Sequence, residues 1–411
     1  MKQIKPFQFD HTIDVNASKS HLQRALAISS LAKGKSTLNG CDESQDVMAC
    51  RNIIKELGCS ISGSRNLEIK PPNRTLKNEI SIDVQESGLA LRMFAFVSSI
   101  FAERVTIHAE CSLLKRPIEE LKMSLQNVGL SVSSNHNSYP ISIHGKIAEP
   151  NIFLDGSFSS QMLSGLLITS PLLNQDTIIH VKNLTSKPYV DLTIETMNDF
   201  GVHVENKNYE TFVVNGNQSY TGREYTIEGD WSGAANHIVG AAISGKIELS
   251  GLQINSKQAD KIILDIIRQY GANFEWKNEC LIISNASESH PIQVDLTNNP
   301  DLFPILAVLA SSAEGTSVFH GTNRLLHKES NRLESVTKML EVFQVGYSLS
   351  ENSIEIHGTG KIKGGEVTCF NDHRIAMAAA IAACISDNEI TIDNEACIRK
   401  SYPEFFNVLG L

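Results

Sequence analysis

The chain has 411 residues, 41% of them hydrophobic and 20% charged, and a formal net charge of −10. That length exceeds one ordinary core and points to two domains of about 200 residues. The acidic balance, with no basic stripe, argues against a nucleic-acid partner, and no segment approaches the roughly 20 apolar residues that a membrane span needs.

In chain order, the first strong signal lies at residues 18–34. Apolar residues fall on nearly every face there, after a polar start at Ser18, Lys19 and Ser20. A helix apolar all round is a buried one. An amphipathic segment follows, closes at Gly58 and runs into a short strand. The pair then recurs. Buried helices are predicted at 86–102, 159–173, 230–245, 301–315 and 372–387, and amphipathic ones close at Gly129, Gly201, Gly271, Gly346 and Gly410. The buried helices start at Ser18, Glu86, Ser159, Asp230, Asp301 and Asp372, spaced by 68, 73, 71, 71 and 71 residues. The first five glycines are spaced by 71, 72, 70 and 75. Glycine just past a helix suits the left-handed closing position, and Ser, Asp and Glu at a helix start suit caps or first-turn acids.

The chain therefore reads as six copies of a unit of about 70 residues, each with two helices and short strands, too small to hold a core alone. Six copies divide into two domains of three. Helix N-termini carry unpaired N–H groups and the positive end of the dipole, so gathered together they favour anions even in an acidic chain. Residues 1–10 hold no apolar signal core. The eight cysteines include no Cys-x-x-Cys pair, and the thirteen histidines show no metal-ligand spacing. A reducing, cytoplasmic setting without disulfides or zinc is expected.

Charged and polar side chains gather at the buried-helix starts. Lys19, Ser20 and Arg24 lie in the first, Gly88 and Arg92 in the second with Arg116 in the loop after it, and Ser159, Ser160 and Gln161 in the third. Asp301 opens the fifth, and Asp372, His373 and Arg374 open the sixth. Lys328, Glu329 and Arg332, then Arg399 and Lys400, form two further clusters. Arginine suits bidentate contact with phosphate or carboxylate, and lysine acts as a compact charge. Many cations with a few carboxylates suggest a polyanionic substrate and acid–base work. Taken singly, these residues have ordinary explanations. Ser20, Ser159, Ser160 and Asp301 could be caps, Arg116 a solvated loop charge, Lys328 and Glu329 a surface pair, and His373 a satisfied core histidine.

Taken together and in order, Ala17-Ser18-Lys19-Ser20 with Arg24, Asp155 to Gln161, Ser186-Lys187-Pro188-Tyr189, Lys328-Glu329 with Arg332, Asn371 to Arg374, and Lys400 to Pro403 resemble the motifs of the 5-enolpyruvylshikimate-3-phosphate synthase family of enolpyruvyl transferases. The resemblance implies an α/β protein of the two-domain inverse α/β fold, with three repeats per domain and domains that close over the substrates. Its domains would be residues 17–227 and, discontinuously, 1–16 with 228–411. The implied reaction transfers the carboxyvinyl group of phosphoenolpyruvate to shikimate 3-phosphate, with no metal or organic cofactor, in a monomer. Lys19, Gly88, Arg116, Gln161, Arg332, His373, Arg374 and Lys400 would surround phosphoenolpyruvate. Lys19, Ser20, Arg24, Ser159, Ser160, Gln161, Ser186, Tyr189, Asp301 and Lys328 would hold shikimate 3-phosphate. Asp301 would take the proton of the attacking 5-hydroxyl, and Glu329, with Lys19, would handle the proton at the methylene carbon.

The chain departs from the family pattern at Glu86-Ser87-Gly88-Leu89, where Asn-Ala-Gly-Thr is usual, at Asn331, where an acid is usual, at Arg324, where an Asn is usual, and at Asn16-Ala17, where Pro-Gly is usual. Glu86 is expected to pair with Arg92 or Arg116. Three rival readings remain open. The sister enzyme acting on UDP-N-acetylglucosamine would carry Lys-Asn at Lys19-Ser20 and a reactive cysteine near Arg116, from which Cys111 is five residues away. An enolpyruvyl transferase with another acceptor and a non-catalytic binding protein on the same scaffold are the others. A pure binder would not need Asp301 and Glu329 together.

Overall fold

A computed structural model describes residues 1–73, 75–135 and 138–411. Among the described residues there are twelve α-helices, and they alternate in kind. The odd-numbered ones are α1 (Lys19–Leu31), α3 (Gly88–Val97), α5 (Gln161–Thr169), α7 (Trp231–Ser244), α9 (Phe303–Ser311) and α11 (His373–Ala382). Every residue of α3, α9 and α11 is buried, as expected of helices apolar on all faces. The even-numbered ones, α2 (Gln45–Glu56), α4 (Glu119–Gln126), α6 (Lys187–Asp199), α8 (Ile263–Tyr270), α10 (Arg332–Val342) and α12 (Phe405–Val408), keep one polar face outward.

Each pair of helices belongs to a small sheet laid out in one way. Lys77–Asp83 runs parallel to Ala102–His108, which pairs antiparallel with Ser138–His144, itself antiparallel to Ser131–Asn135. The parallel step needs a crossover, and the buried helix supplies it. The sheets that begin at Asn151–Asp155 and Gln293–Asp295 repeat the layout. Two sheets are completed from afar. Ser36–Asn39 takes its parallel partner from Glu224–Thr226, and Gly245–Ser250 takes its own from Phe9–Asp14. The sixth sheet has three strands, with Lys2–Ile4 antiparallel to Ile390–Ile392. The chain accordingly divides into two compact units: Lys19–Ile227, here the inserted unit, and Met1–Ser18 with Glu228–Leu411, the terminal unit.

In the inserted unit α3 packs on α5 through Gly165, where a Cβ would lie 2.8 Å from the Arg92 carbonyl and the Met93 Cα. In the terminal unit α7, α9 and α11 pack on one another, and Trp231, Leu306 and Ile375 belong to the core they share. Three buried helices are capped by side chains. Ser87 accepts from the Ala90 amide, Asp230 from Gly233 and Asp372 from Arg374. Glu86 and Asp301 are not the caps; Ser87 and Leu302 stand there. Ser87 wins because its short hydroxyl reaches the third amide of the turn, and Asp301 is drawn elsewhere by charge.

The glycine pattern holds at five of the six closing positions, with φ of 107° at Gly58, 91° at Gly129, 86° at Gly201, 109° at Gly271 and 67° at Gly410. Gly346 instead opens a strand, and Gln344 takes the left-handed place at φ 57°. The amide of Val345 then returns to the Leu340 carbonyl at 2.9 Å, the bond that Cys59 makes to Ile54 after Gly58. One closing hydrogen bond offsets the strain of a side chain in that conformation. Among the described residues no helix is long and apolar enough to cross a membrane.

Candidate active site

The inserted unit holds its cations against mostly neutral oxygens. Lys19 opens α1 and lies 2.9 Å from Asp46 on α2. Arg24, one turn on, is 1% exposed. Its Nε donates to the Thr193 hydroxyl at 2.7 Å, and its two terminal nitrogens donate to the Ser20 carbonyl at 2.7 Å, the Tyr189 carbonyl at 3.2 Å and the Ser164 hydroxyl at 3.4 Å. The Tyr189 ring lies 5.9 Å from the guanidinium. Burial pushes the Arg24 pKa down to about 10, because its partners carry no full charge. Arg24 thus ties α1 to α5 and α6 and brings Ser20 and Tyr189 to one corner. Ser186, buried and left-handed at φ 55°, immediately precedes the same α6.

A second cluster surrounds the start of α3. A Cβ on Gly88 would lie 2.8 Å from a terminal nitrogen of Arg116 and 2.9 Å from one of Arg92. Glycine is what lets two guanidiniums approach that helix N-terminus. Arg92 donates to the Gln161 side chain at 3.0 Å and to the Gly88 carbonyl at 3.2 Å, with the Phe158 ring 5.4 Å away. The Ser159 hydroxyl accepts from the Gln161 amide at 3.1 Å just ahead of α5 and keeps its own proton to donate. Ser160 is buried beside it. Glu86 accepts from the Ser112 hydroxyl at 2.9 Å, a partner the sequence did not suggest. Arg92 carries a positive charge in an otherwise apolar helix, and that was the signal for its part in the cluster.

The terminal unit is built on opposite terms. Arg332 is fully buried, and three carboxylates surround it: Asp301 at 2.5 Å, Glu329 at 2.6 Å and Asp372 at 2.9 Å. Asp301 is also 2.8 Å from Arg374. Asp372 accepts from the Ser330 hydroxyl and caps α11, so it fixes Arg332, His373 and Arg374 together. His373 is 1% exposed, with Nδ1 3.8 Å from Asp372. Burial opposes ionisation of Asp301, yet Arg374, Arg332 and Lys328 hold its carboxyl far below the usual range. Burial lowers and three carboxylates raise the Arg332 pKa, and the carboxylates win. The half-buried Lys328 is pushed down to about 8, by burial first, with Asp301 opposing. Lys400 is buried at the end of the short helical turn Glu395–Lys400. Asn331 caps α10 by accepting from the Glu334 amide, so the missing acid there leaves a helix cap in its place.

Each unit therefore presents cations and hydroxyl donors suited to phosphate and carboxylate groups, and the terminal unit adds two partly exposed carboxylates, Asp301 and Glu329. The model of the EPSP synthase (3-phosphoshikimate 1-carboxyvinyltransferase) family matches residues 5–409. The chain belongs to the EPSP synthase family. It is 35% identical to the 3-phosphoshikimate 1-carboxyvinyltransferase of Clostridium novyi (strain NT), over 99% of this chain and 96% of that one. It is 36% identical to the protein of that name from Methanocorpusculum labreanum, over 97% and 95%. Among solved structures, an EPSP synthase from Acinetobacter baumannii superposes with a TM-score of 0.84 at 24% identity, covering 99% of this chain and 97% of that one. The enolpyruvyl transferase NikO from Streptomyces tendae gives 0.76 at 14% identity, covering 99% and 96%. These two likenesses establish the fold: the two-unit enolpyruvyl transferase architecture of small sheets and paired helices. The sequence singles out Arg92 and Asp372 as helix-start charges and Asp46 not at all; the structure sets Asp46 against Lys19, Arg92 against Gln161 and Asp372 against Arg332.

Proposed function

We propose that the chain transfers the carboxyvinyl group of phosphoenolpyruvate to the 5-hydroxyl of shikimate 3-phosphate and releases phosphate, a step of aromatic amino acid biosynthesis. The observation that carries this reading is the grouping of Asp301 and Glu329 on one buried arginine, Arg332, beside Arg374. Two carboxylates serve the two proton transfers that the reaction needs, and the cations balance a doubly anionic donor.

The family resemblance supports the following roles. Lys19, Gly88, Arg116, Gln161, Arg332, His373, Arg374 and Lys400 take the phosphate and carboxylate of phosphoenolpyruvate. Ser20, Arg24, Ser159, Ser160, Ser186 and Tyr189, with Lys328, take shikimate 3-phosphate. The arginines keep Asp301 ionised and therefore able to accept a proton, but they also make it a weak base. As the donor's anionic groups occupy Arg332 and Arg374, that hold loosens and the basicity of Asp301 rises. The 5-hydroxyl oxygen then bonds to C2 of phosphoenolpyruvate and gives its proton to Asp301, while Glu329 protonates the methylene carbon. The resulting tetrahedral adduct breaks its C2–O bond to phosphate, which leaves with the proton held by Asp301, and the methyl group returns a proton to Glu329. The protein works as a monomer in the cytoplasm, a setting in keeping with its eight free cysteines.

The test is to mix the protein with phosphoenolpyruvate and shikimate 3-phosphate and to follow phosphate release and product mass. Stoichiometric phosphate and an enolpyruvyl ether are expected. Release only with a different phosphorylated alcohol would overturn the choice of acceptor, and none with any acceptor would overturn the reaction.

A further inference from the structure

A second carboxylate lies behind Asp301. Asp260, in the short turn Ala259–Ile262, is 1% exposed. One of its oxygens accepts from the Ser232 hydroxyl in the first turn of α7, and the other accepts from the Asn299 amide group at 3.3 Å. Asn299 also donates to the Ala259 carbonyl at 2.6 Å, and its own carbonyl accepts from the Leu302 amide at 3.1 Å. Asp260 is therefore tied to the turn that presents Asp301 two residues further on. Its neighbour Gln258 accepts from the Trp231 amide at 3.1 Å and donates to the Gly229 carbonyl at 2.8 Å, which fixes the same turn to the start of α7.

Two neutral donors are little compensation for a fully buried charge. The charged groups that act on Asp260 are Asp301 from the turn before α9 and Arg374 from α11; Asp230 caps the helix it touches, and Lys261 follows it on its own turn. Burial first, and then the charge of Asp301, push Asp260 up to about 6, while Arg374 and the two hydrogen bonds work the other way. Asp260 and Asp301 thus draw on one guanidinium.

We propose that Asp260 is a positioning residue for the transfer, anchoring the Asn299–Asp301 turn and sharing the charge of Arg374 with Asp301. The inference rests on the roles given above to Asp301 and Arg374. Once an anion occupies Arg374, Asp260 loses part of its counter-charge and takes a proton from solvent. Neutral Asp260 leaves Arg374 to the substrate. Ionised Asp260 competes for it.

The experiment uses Asp260→Asn, whose amide can accept from Asn299 and donate to the Ser232 oxygen, so that shape is kept and charge removed. The KM for phosphoenolpyruvate is measured for parent and variant from about pH 5 to about pH 8, a window spanning the transition of a carboxyl so raised. The variant-to-parent ratio at each pH cancels the substrate's own ionisation. The ratio is expected to stay level at the acidic end and to fall as pH rises through about 6, with kcat changing less. A ratio flat across the range would leave Asp260 a spacer and overturn the proposal. Ser232→Ala removes one donor to the ionised form and is expected to move the parent-type transition to higher pH. An unmoved transition there would also overturn it, and this arm stands even if Asp260→Asn does not fold. Asp301→Asn is run alongside. If it keeps full turnover, the base reading fails, whereas its loss with an unchanged Asp260→Asn ratio sinks only the present inference.

Discussion

Arg24 in the inserted unit and Arg332 in the terminal unit are both within 1% of complete burial, and they are held by opposite means. Arg24 donates to carbonyls and hydroxyls, and burial lowers its pKa. Arg332 is enclosed by Asp301, Glu329 and Asp372, which raise its own. A guanidinium satisfied by neutral oxygens keeps its net charge and remains attractive to an anion, while its burden is desolvation. A guanidinium shared by three carboxylates is more than neutralised, and that excess is what a site needs if protons are to move within it. The inserted unit is built for binding. The terminal unit is built for binding and acid–base work.

Substitutions at the carboxylates test this division most sharply. Glu329→Gln and Asp301→Asn keep size and remove proton transfer, so turnover is expected to fall by about 10²–10⁴-fold with substrate KM changed little. Steady-state kinetics check it. Near-full turnover in either variant would move the acid–base work elsewhere.

Stability separates the two arginines next. Arg332→Met leaves Asp372 buried without its guanidinium and Asp301 and Glu329 with one cation fewer, at a cost of about 3–5 kcal/mol. Arg24→Met leaves only neutral acceptors unsatisfied, at a cost of about 1–3 kcal/mol. Urea unfolding of both variants decides, and equal losses would erase the contrast drawn here.

Lys328 offers a pH test within the terminal unit. Its amine is charged below about 8 and neutral above, so kcat/KM for the acceptor is expected to decline as pH rises through that value, since this ratio reports the free enzyme. In Lys328→Met the ratio should be lower at neutral pH and lack that transition. A transition that persists belongs to another group.

The smallest effect is expected at the start of α3. Gly88→Ala places a methyl group within 3 Å of the terminal nitrogens of Arg92 and Arg116. Both side chains can swing away, so the fold should hold while the KM for phosphoenolpyruvate rises more than kcat falls. A change confined to kcat would show that these arginines do more than bind.

The sequence by itself determined the alternation of buried and amphipathic helices, six of each in order. Helix periodicity and a closing glycine act over one or two turns, and a local code suffices for them. It also placed the family's cations and carboxylates at the helix starts. Only the tertiary structure decided which strand completes which sheet. Phe9–Asp14 joins Gly245–Ser250 and Glu224–Thr226 joins Ser36–Asn39, because an unpaired edge takes whatever strand the fold brings beside it. It alone decided that Gln344 rather than Gly346 closes α10, since the returning hydrogen bond fixes that place more strongly than the residue's preference does. It decided the partners of the charges too. Lys19 with Asp46, Arg92 with Gln161, Arg332 with Asp372 and Asp260 with Asn299 lie 27 to 69 residues apart in sequence. Coulomb attraction and desolvation depend on distance and burial, and neither follows from sequence spacing once the chain is folded.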